Sequence, residues 1–237
     1  RITHPDRLHL ATPLKLLLRA LHRRVAARLL QLVDNSLSRV ASADVAAVVI
    51  ETLQGWGAVP YPPEYLQRMR QWADENDVLL IFDEIQTGFG RTGKMFGLEH
   101  WGVQPDLIQF AKAVTSGYFP LGGIGISDEI ADVMNQSGSP WMHAYTYSSH
   151  PVGCAVALAM LDIIERESFL EQARTKGQRL LVKLKEALAD HPHVGDVRGL
   201  GMMCGVEFVK DKANKTLFDA GEAIGPKICL LYTSDAA

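Results

Sequence analysis

Glu51, Asp83, Gln86 and Lys112 are residues whose types and spacing could do chemistry together. Asp83 closes the apolar run "VLLIF" and Lys112 closes "DLIQFA". A carboxylate at the end of a buried strand is costly to desolvate unless a cation or a donor meets it. A lysine at the end of the next strand could be that cation, in a structural salt bridge. The residues around Lys112, "FAKAVTSGYFPLGG", are small and apolar, a setting that makes a lysine a usable nucleophile. A Schiff-base lysine with an acid that holds a pyridinium nitrogen is the arrangement pyridoxal phosphate requires. Gln86 is neutral and could donate to the phenolic oxygen of such a cofactor. On residue chemistry alone, both readings stand.

The stretch between them invites a third. Gly88 to Lys94, "GFGRTGK", fits the G-x-x-x-x-G-K frame of a phosphate-cradling loop. In such a loop a Ser or Thr follows the lysine and binds magnesium, and a helix starts at once. Here Met95 follows, and "MFGLEHWGVQPD" carries two glycines and a proline. The glycines therefore read as shaping a turn, and a nucleotide-binding enzyme is disfavoured.

The elements that must position these residues alternate. "VAAVVIE" (Val45–Glu51), "VLLIFDEI" (Val78–Ile85), "DLIQFAK" (Asp106–Lys112) and "GGIGIS" (Gly122–Ser127) read as buried strands. "PPEYLQRMRQWADEND" (Pro62–Asp77) reads as a helix with Tyr65, Leu66, Met69, Trp72 and Ala73 on one face. The pattern predicts an α/β fold, a mostly parallel sheet with helices on both faces. Ligands bind such sheets beyond the carboxyl ends of the strands, where Glu51, Asp83 and Lys112 are expected. Helices over His150–Ser168 and Phe169–Asp190 follow. A strand over Val194–Lys212, with Met202 and Met203 in its core, opens a small α+β C-terminal domain.

With 237 residues, 47% of them hydrophobic, the chain has ordinary globular composition. A net charge of −3 without basic blocks gives no nucleic-acid footprint. No apolar stretch is long enough to span a membrane. Cys154, Cys204 and Cys229 lack metal-ligand spacing, so reduced thiols in a cytoplasmic protein are expected and no metal site. The chain opens at Arg1 rather than a methionine. Residues 1–33 hold a basic amphipathic pattern of uncertain standing. The last nine, "CLLYTSDAA" (229–237), resemble a translated sequencing adapter and stand outside the fold reasoning. The expected division is a cofactor-binding large domain over 34–168 and a connecting helix with the start of a small domain over 169–228.

"ETLQGWGAV", "LLIFDEIQTGFGRTGKMFGLEHWGVQPDLIQFAKAVTSGYFPLGG" and "TYSSHPVGCAVALA" resemble, in order and spacing, the signatures of the class III aminotransferases. These are pyridoxal-phosphate enzymes of fold type I. The resemblance runs from about Asp44 to about Gly225 and is closest to the omega-aminotransferase branch, which uses pyruvate as amino acceptor. It implies that Lys112 forms the Schiff base and moves the proton, and that Asp83 keeps the pyridine nitrogen protonated. Ile85 would pack on a ring face, Gln86 would contact the ring hydroxyl, and Thr146 would reach the phosphate of the other subunit's cofactor in a homodimer. Glu51 is a site acid or a strand-end cap. The family usually has Pro where Thr52 stands and Gly where Ser149 stands. His150 and Arg198 read as structural. The resemblance also implies an upstream phosphate loop and stacking aromatic and a downstream carboxylate-binding arginine, so the chain as it stands is expected to hold cofactor weakly. Other chemistry of the same family (aminomutase, decarboxylase, racemase) and a cofactor-free binding homologue are the rival readings.

Overall fold

The computed structural model describes residues 45–139, 145–214 and 216–228. The amphipathic pattern of residues 1–33 and the tail 229–237 lie outside the described residues.

Strands β1 (Ala47–Glu51), β4 (Leu79–Asp83), β5 (Leu107–Phe110) and β6 (Gly123–Ile126) form one sheet in the order β1-β4-β5-β6. β1, β4 and β5 run parallel, and β6 returns antiparallel to β5. The register sets Glu51 opposite Asp83 and Asp83 opposite Gln109. Two further strands, β2 (Leu53–Gln54) and β3 (Val59–Pro60), make a small ribbon after β1.

Strand side chains alternate between faces, and paired residues share a face. Val48, Ile50, Leu80, Phe82 and Ile108 therefore point one way. There helix α1 (Tyr65–Glu75) meets them with Leu66, Met69 and Ala73, and Leu98, Trp101 and Val103 complete the core. The helical spacing of its apolar residues makes α1 amphipathic, and it is this face that is buried. Phe82, Leu80, Leu66 and Ala73 are fully buried, each side chain contributing about 1.5–3 kcal/mol except the smaller alanine. The same alternation sends Glu51, Asp83 and Gln109 to the opposite face.

Helix α2 (Asp128–Gln136) was not expected. Ser127 caps it by accepting the Ile130 N–H at 3.3 Å, and Asp128 and Glu129 in its first turn suit the helix dipole. Helices α3 (Pro151–Arg166) and α4 (Phe169–Ala187) follow. The expected single strand over Val194–Lys212 is instead two, β7 (Val194–Leu200) and β8 (Met203–Phe208), paired as a hairpin. Gly201 takes φ +58° at the hairpin's tight turn, which a glycine permits. Any Cβ there would overlap the backbone of Thr92, and one on Gly177 of α4 would overlap Gly201. Three backbones thus stack in direct contact: α4, the hairpin turn and the glycine-rich loop. No helix among the described residues is long and apolar enough to cross a membrane.

Candidate active site

Asp83 ends β4, and its Oδ1 accepts the N–H of Ile85 at 2.9 Å, folding the chain sharply at the strand end. Glu84, one residue on, falls by alternation on the core side and is completely buried. Its carboxylate accepts the N–H groups of Gly97 at 2.8 Å and Leu98 at 2.7 Å, and the hydroxyl of Thr87. Thr87 Oγ1 lies 3.0 Å from Thr52 Oγ1. Burial pushes the Glu84 carboxyl upward against the pull of these donors. The network ties the turn after β1, the loop after β4 and the 3₁₀ turn Gly97–His100 into one unit beneath the site.

Above it lies Gln86. Its amide presses on Gly55, where a Cβ would come within 2.5 Å of Nε2. Glu51 Oε2 accepts the Gly55 N–H at 3.1 Å, so Glu51 shapes the turn on which Gln86 rests. That contact is a local cap, one of the two roles the sequence left open. Thr52, where proline was the family's usual residue, holds the turn from below through its hydroxyl.

Lys112 stands two residues beyond β5 rather than at its end. It begins a 3₁₀ turn (Lys112–Val114) with φ +48°, a left-handed conformation uncommon outside glycine. Strain of this kind gathers at functional sites. The side chain is exposed among the described residues. It opens into a cavity of about 420 Å³ lined also by Gln86, Arg91, Ala113, Ser116, Gly117 and Met203. Lys112 and Gln86 are therefore brought together. Asp83 and Ile85 lie half-buried at the approach to Gln86 and are not among the lining residues. Thr146 is exposed in the turn 145–149 and is not among these lining residues, and Ser149 adopts φ +57°, where a glycine would be at ease.

Met203 lines the cavity and Met202 is 38% exposed, so neither belongs to the core as expected. His150 is the N-cap of α3. Arg198 pairs with Glu207 at 2.7 Å and donates to the Gly57 carbonyl at 2.8 Å, tying the β7–β8 hairpin to the loop between β2 and β3. Sequence reasoning missed Glu84, Thr87 and Arg91. Alternation after "LLIFD" is signal enough for Glu84, since successive side chains of an extended chain point to opposite faces and Phe82, two residues before, lies in the core.

Solved structures that superpose on the chain fix its class. It shares 46% identity and a TM-score of 0.82 with a thermostable (S)-enantioselective omega-transaminase from Thermomicrobium roseum, over 87% of this chain and 46% of that one. A taurine:2-oxoglutarate aminotransferase from Bifidobacterium kashiwanohense, determined with PLP and glutamate, gives 31% and 0.78 over 83% of this chain and 44% of that one. The fold is that of the pyridoxal-phosphate enzymes of fold type I. The chain belongs to the class-III aminotransferases, whose sequence model matches residues 4–231. That match extends on both sides of the motif-bearing stretch. Among relatives, the putrescine–pyruvate aminotransferase of Pseudomonas aeruginosa is 42% identical over 78% of this chain and 41% of its own length. The diaminobutyrate–2-oxoglutarate transaminase of Halomonas elongata is 45% identical over 78% and 40%. The chain thus spans less than half the length of the relatives it matches.

Proposed function

We propose that this chain carries the catalytic lysine of a pyridoxal-phosphate-dependent aminotransferase that moves an amino group from an amine or omega-amino acid to a keto acid such as pyruvate. The observation that carries the reading is Lys112 and Gln86 on one cavity, at the carboxyl side of the parallel strands β4 and β5, with Asp83 ending β4. The cavity is of the size that small-molecule sites have, and it holds a free amine and a neutral amide, which suit an aldehyde and a ring hydroxyl. When bound, pyridoxal phosphate supplies an electron sink for negative charge developing on a substrate carbon.

The chain's own residues would do the rest. Lys112 Nζ would hold the cofactor covalently and, once displaced by the incoming amine, would take and return a proton at the substrate carbon. Asp83 would keep the ring nitrogen protonated, Ile85 would pack on a ring face, and Gln86 would donate to the ring hydroxyl. Glu51 would hold Gln86 in place through Gly55. Thr146 would reach across a homodimer interface to the phosphate of the other subunit's cofactor. The same reading takes 34–168 as the large domain and 169–228 as the start of the small one. Free thiols at Cys154 and Cys204 support a cytoplasmic setting.

The test is chemical trapping. The intact protein is incubated with pyridoxal phosphate, reduced with borohydride and mapped by peptide mass. A pyridoxyl group on Lys112 is expected; its absence, or its appearance on other lysines alone, would overturn the assignment.

A further inference from the structure

Two non-glycine residues of the segment after β5 take left-handed backbone angles, Lys112 at φ +48° and Ser116 at φ +49°. The conformation strains an L-residue and suits a glycine. Gly117, at φ +81°, meets the same demand with the residue that fits it. A short polar side chain offsets such strain when it bonds to nearby backbone. The Ser116 hydroxyl does not: it makes no hydrogen bond among the described residues, and Ser116 lines the cavity into which Lys112 opens.

The surrounding backbone fixes where that hydroxyl stands. Val114 and Thr115 are buried, and the N–H groups of Thr115 and Ser116 donate to the carbonyls of Lys112 and Ala113, each at 3.2 Å. The Tyr118 N–H closes the turn on the Thr115 carbonyl at 3.0 Å, and the Thr115 hydroxyl donates to the Phe119 carbonyl. The Phe119 ring centre lies 5.0 Å from that of His150, the N-cap of α3, and a Cβ on Gly153 would come within 3.0 Å of the same ring. The segment is thus pinned from β5 to α3, and it holds a hydroxyl beside the lysine against local preference. Strain of this kind persists where the surroundings over-determine it, and it gathers at functional sites.

We propose that Ser116 is a positioning residue for water: its hydroxyl holds the water that delivers oxygen to the carbonyl product, beside the carbon on which Lys112 works. The inference rests on the transaminase reading above and adds a residue to it. The donor amine leaves as a carbonyl compound whose oxygen comes from water. A C–O bond forms, the C–N bond breaks, and the water's two protons pass to the nitrogen left behind on the cofactor. The donor's C–H proton has by then gone to Lys112, and the two electrons of that bond to the cofactor. In the keto-acid half a water leaves by the reverse route. Such a water must be gripped so that a lone pair faces the carbon while its protons find an acceptor. A charged Lys112 and Arg91 only donate, and the Gln86 amide presses on Gly55. Ser116 carries the one hydroxyl among the described lining residues, a single atom that both donates and accepts.

The test uses the intact holoenzyme and its Ser116→Ala and Ser116→Gly variants. Ser116→Gly removes the hydroxyl where a glycine is at ease, so it should melt no lower than wild type. A melting temperature lower by about 4 °C or more would assign the serine to stability and overturn the proposal. Turnover of an arylalkylamine with pyruvate is then run in D₂O, and the unreacted amine and the carbonyl product are recovered at intervals. Deuterium enters the amine at its reacting carbon through Lys112 alone, whereas product formation also needs the water. Both variants should therefore raise the ratio of exchanged amine to product by about tenfold, the factor that a lost hydrogen bond implies. An unchanged ratio would overturn the proposal: with normal turnover the hydroxyl is idle, and with slowed turnover it serves the proton step instead. Should Ser116→Ala fail to fold, Ser116→Gly decides by the same ratio. Borohydride trapping at Lys112 in the wild-type protein reports separately on the transaminase reading, so an adduct with an unchanged ratio sinks this proposal alone.

Discussion

At the amino ends of β4 and β5 the sheet neutralises its own charges; at the carboxyl ends of the same strands it leaves them available. Asp106, just before β5, accepts the Leu80 N–H at 2.6 Å and the Arg70 guanidinium at 2.8 Å, and Arg70 also reaches Asp74 at 2.7 Å. That cluster clamps α1 to the sheet and presents no unpaired acid or base to a ligand. Some 15–20 Å along, by strand length, stand Lys112, Gln86 and Arg91 around an open cavity. Side-chain chemistry is similar at the two ends, and partner supply is what differs. The amino end has an acid for its arginine, and the cavity has none among the described residues.

The largest expected effect breaks the carboxyl end. Lys112→Ala should remove the trapped cofactor adduct and lower turnover by about 10³-fold or more, the upper range for a lost proton-transfer group, with the melting temperature little changed. An unchanged turnover would end the comparison. Next come the stacked backbones of α4, the hairpin turn and the glycine-rich loop. Gly177→Ala drives a Cβ into the hairpin turn, so denaturant titration should show a loss of about 3 kcal/mol, at the upper end for overpacking. A loss below about 0.5 kcal/mol would mean the three stacked backbones separate easily.

At the amino end the sign of the comparison reverses. Asp106→Asn should cost about 1–3 kcal/mol in denaturant titration, because Arg70 loses its charge-assisted partner, while KM and kcat of the folded fraction stay as they were. A shift in KM would mean the two ends are coupled.

The smallest expected effect concerns pH. Burial raises the Glu84 carboxyl above its ordinary 4.5, so the folded state holds that proton more tightly than the unfolded chain does. Its contribution to stability is therefore full below 4.5 and is lost as pH rises through the raised value. Glu84→Gln lacks this titration. The stability difference between wild type and variant should move against the wild type as pH rises from ~4 to ~8. Parallel pH profiles would show that the backbone donors of Gly97 and Leu98 govern the carboxyl instead.

Much of this arrangement is written locally. The alternation of "VAAVVIE", "VLLIFDEI" and "DLIQFAK" marks three parallel strands and puts Glu51 and Asp83 at their ends, because period-2 patterning needs no knowledge of partners. The helix face of Leu66, Met69 and Ala73 is legible for the same reason. The turns were less so. The apolar pattern puts Lys112 at a strand end, whereas it stands two residues past β5, in a 3₁₀ turn with φ +48°. The single strand over Val194–Lys212 is a hairpin, since one glycine at Gly201 reverses the chain where the apolar pattern runs on. Ser127 and the two acids after it were a capping signal for α2 that the short apolar content of the helix obscured.

What the sequence alone determined is the family and the strand ends at Glu51 and Asp83, since motif order and strand periodicity are properties of neighbours along the chain. What only the tertiary structure decided is which charges are spent and which are free. Arg198 and Arg91 are both arginines beside glycines in the sequence. Among the described residues, folding delivers Glu207 and Asp196 to the first and the lysine's cavity to the second. Coulomb partners are chosen across space, by which loops the packing of α4 against the hairpin brings together, and one-dimensional spacing carries no record of that choice.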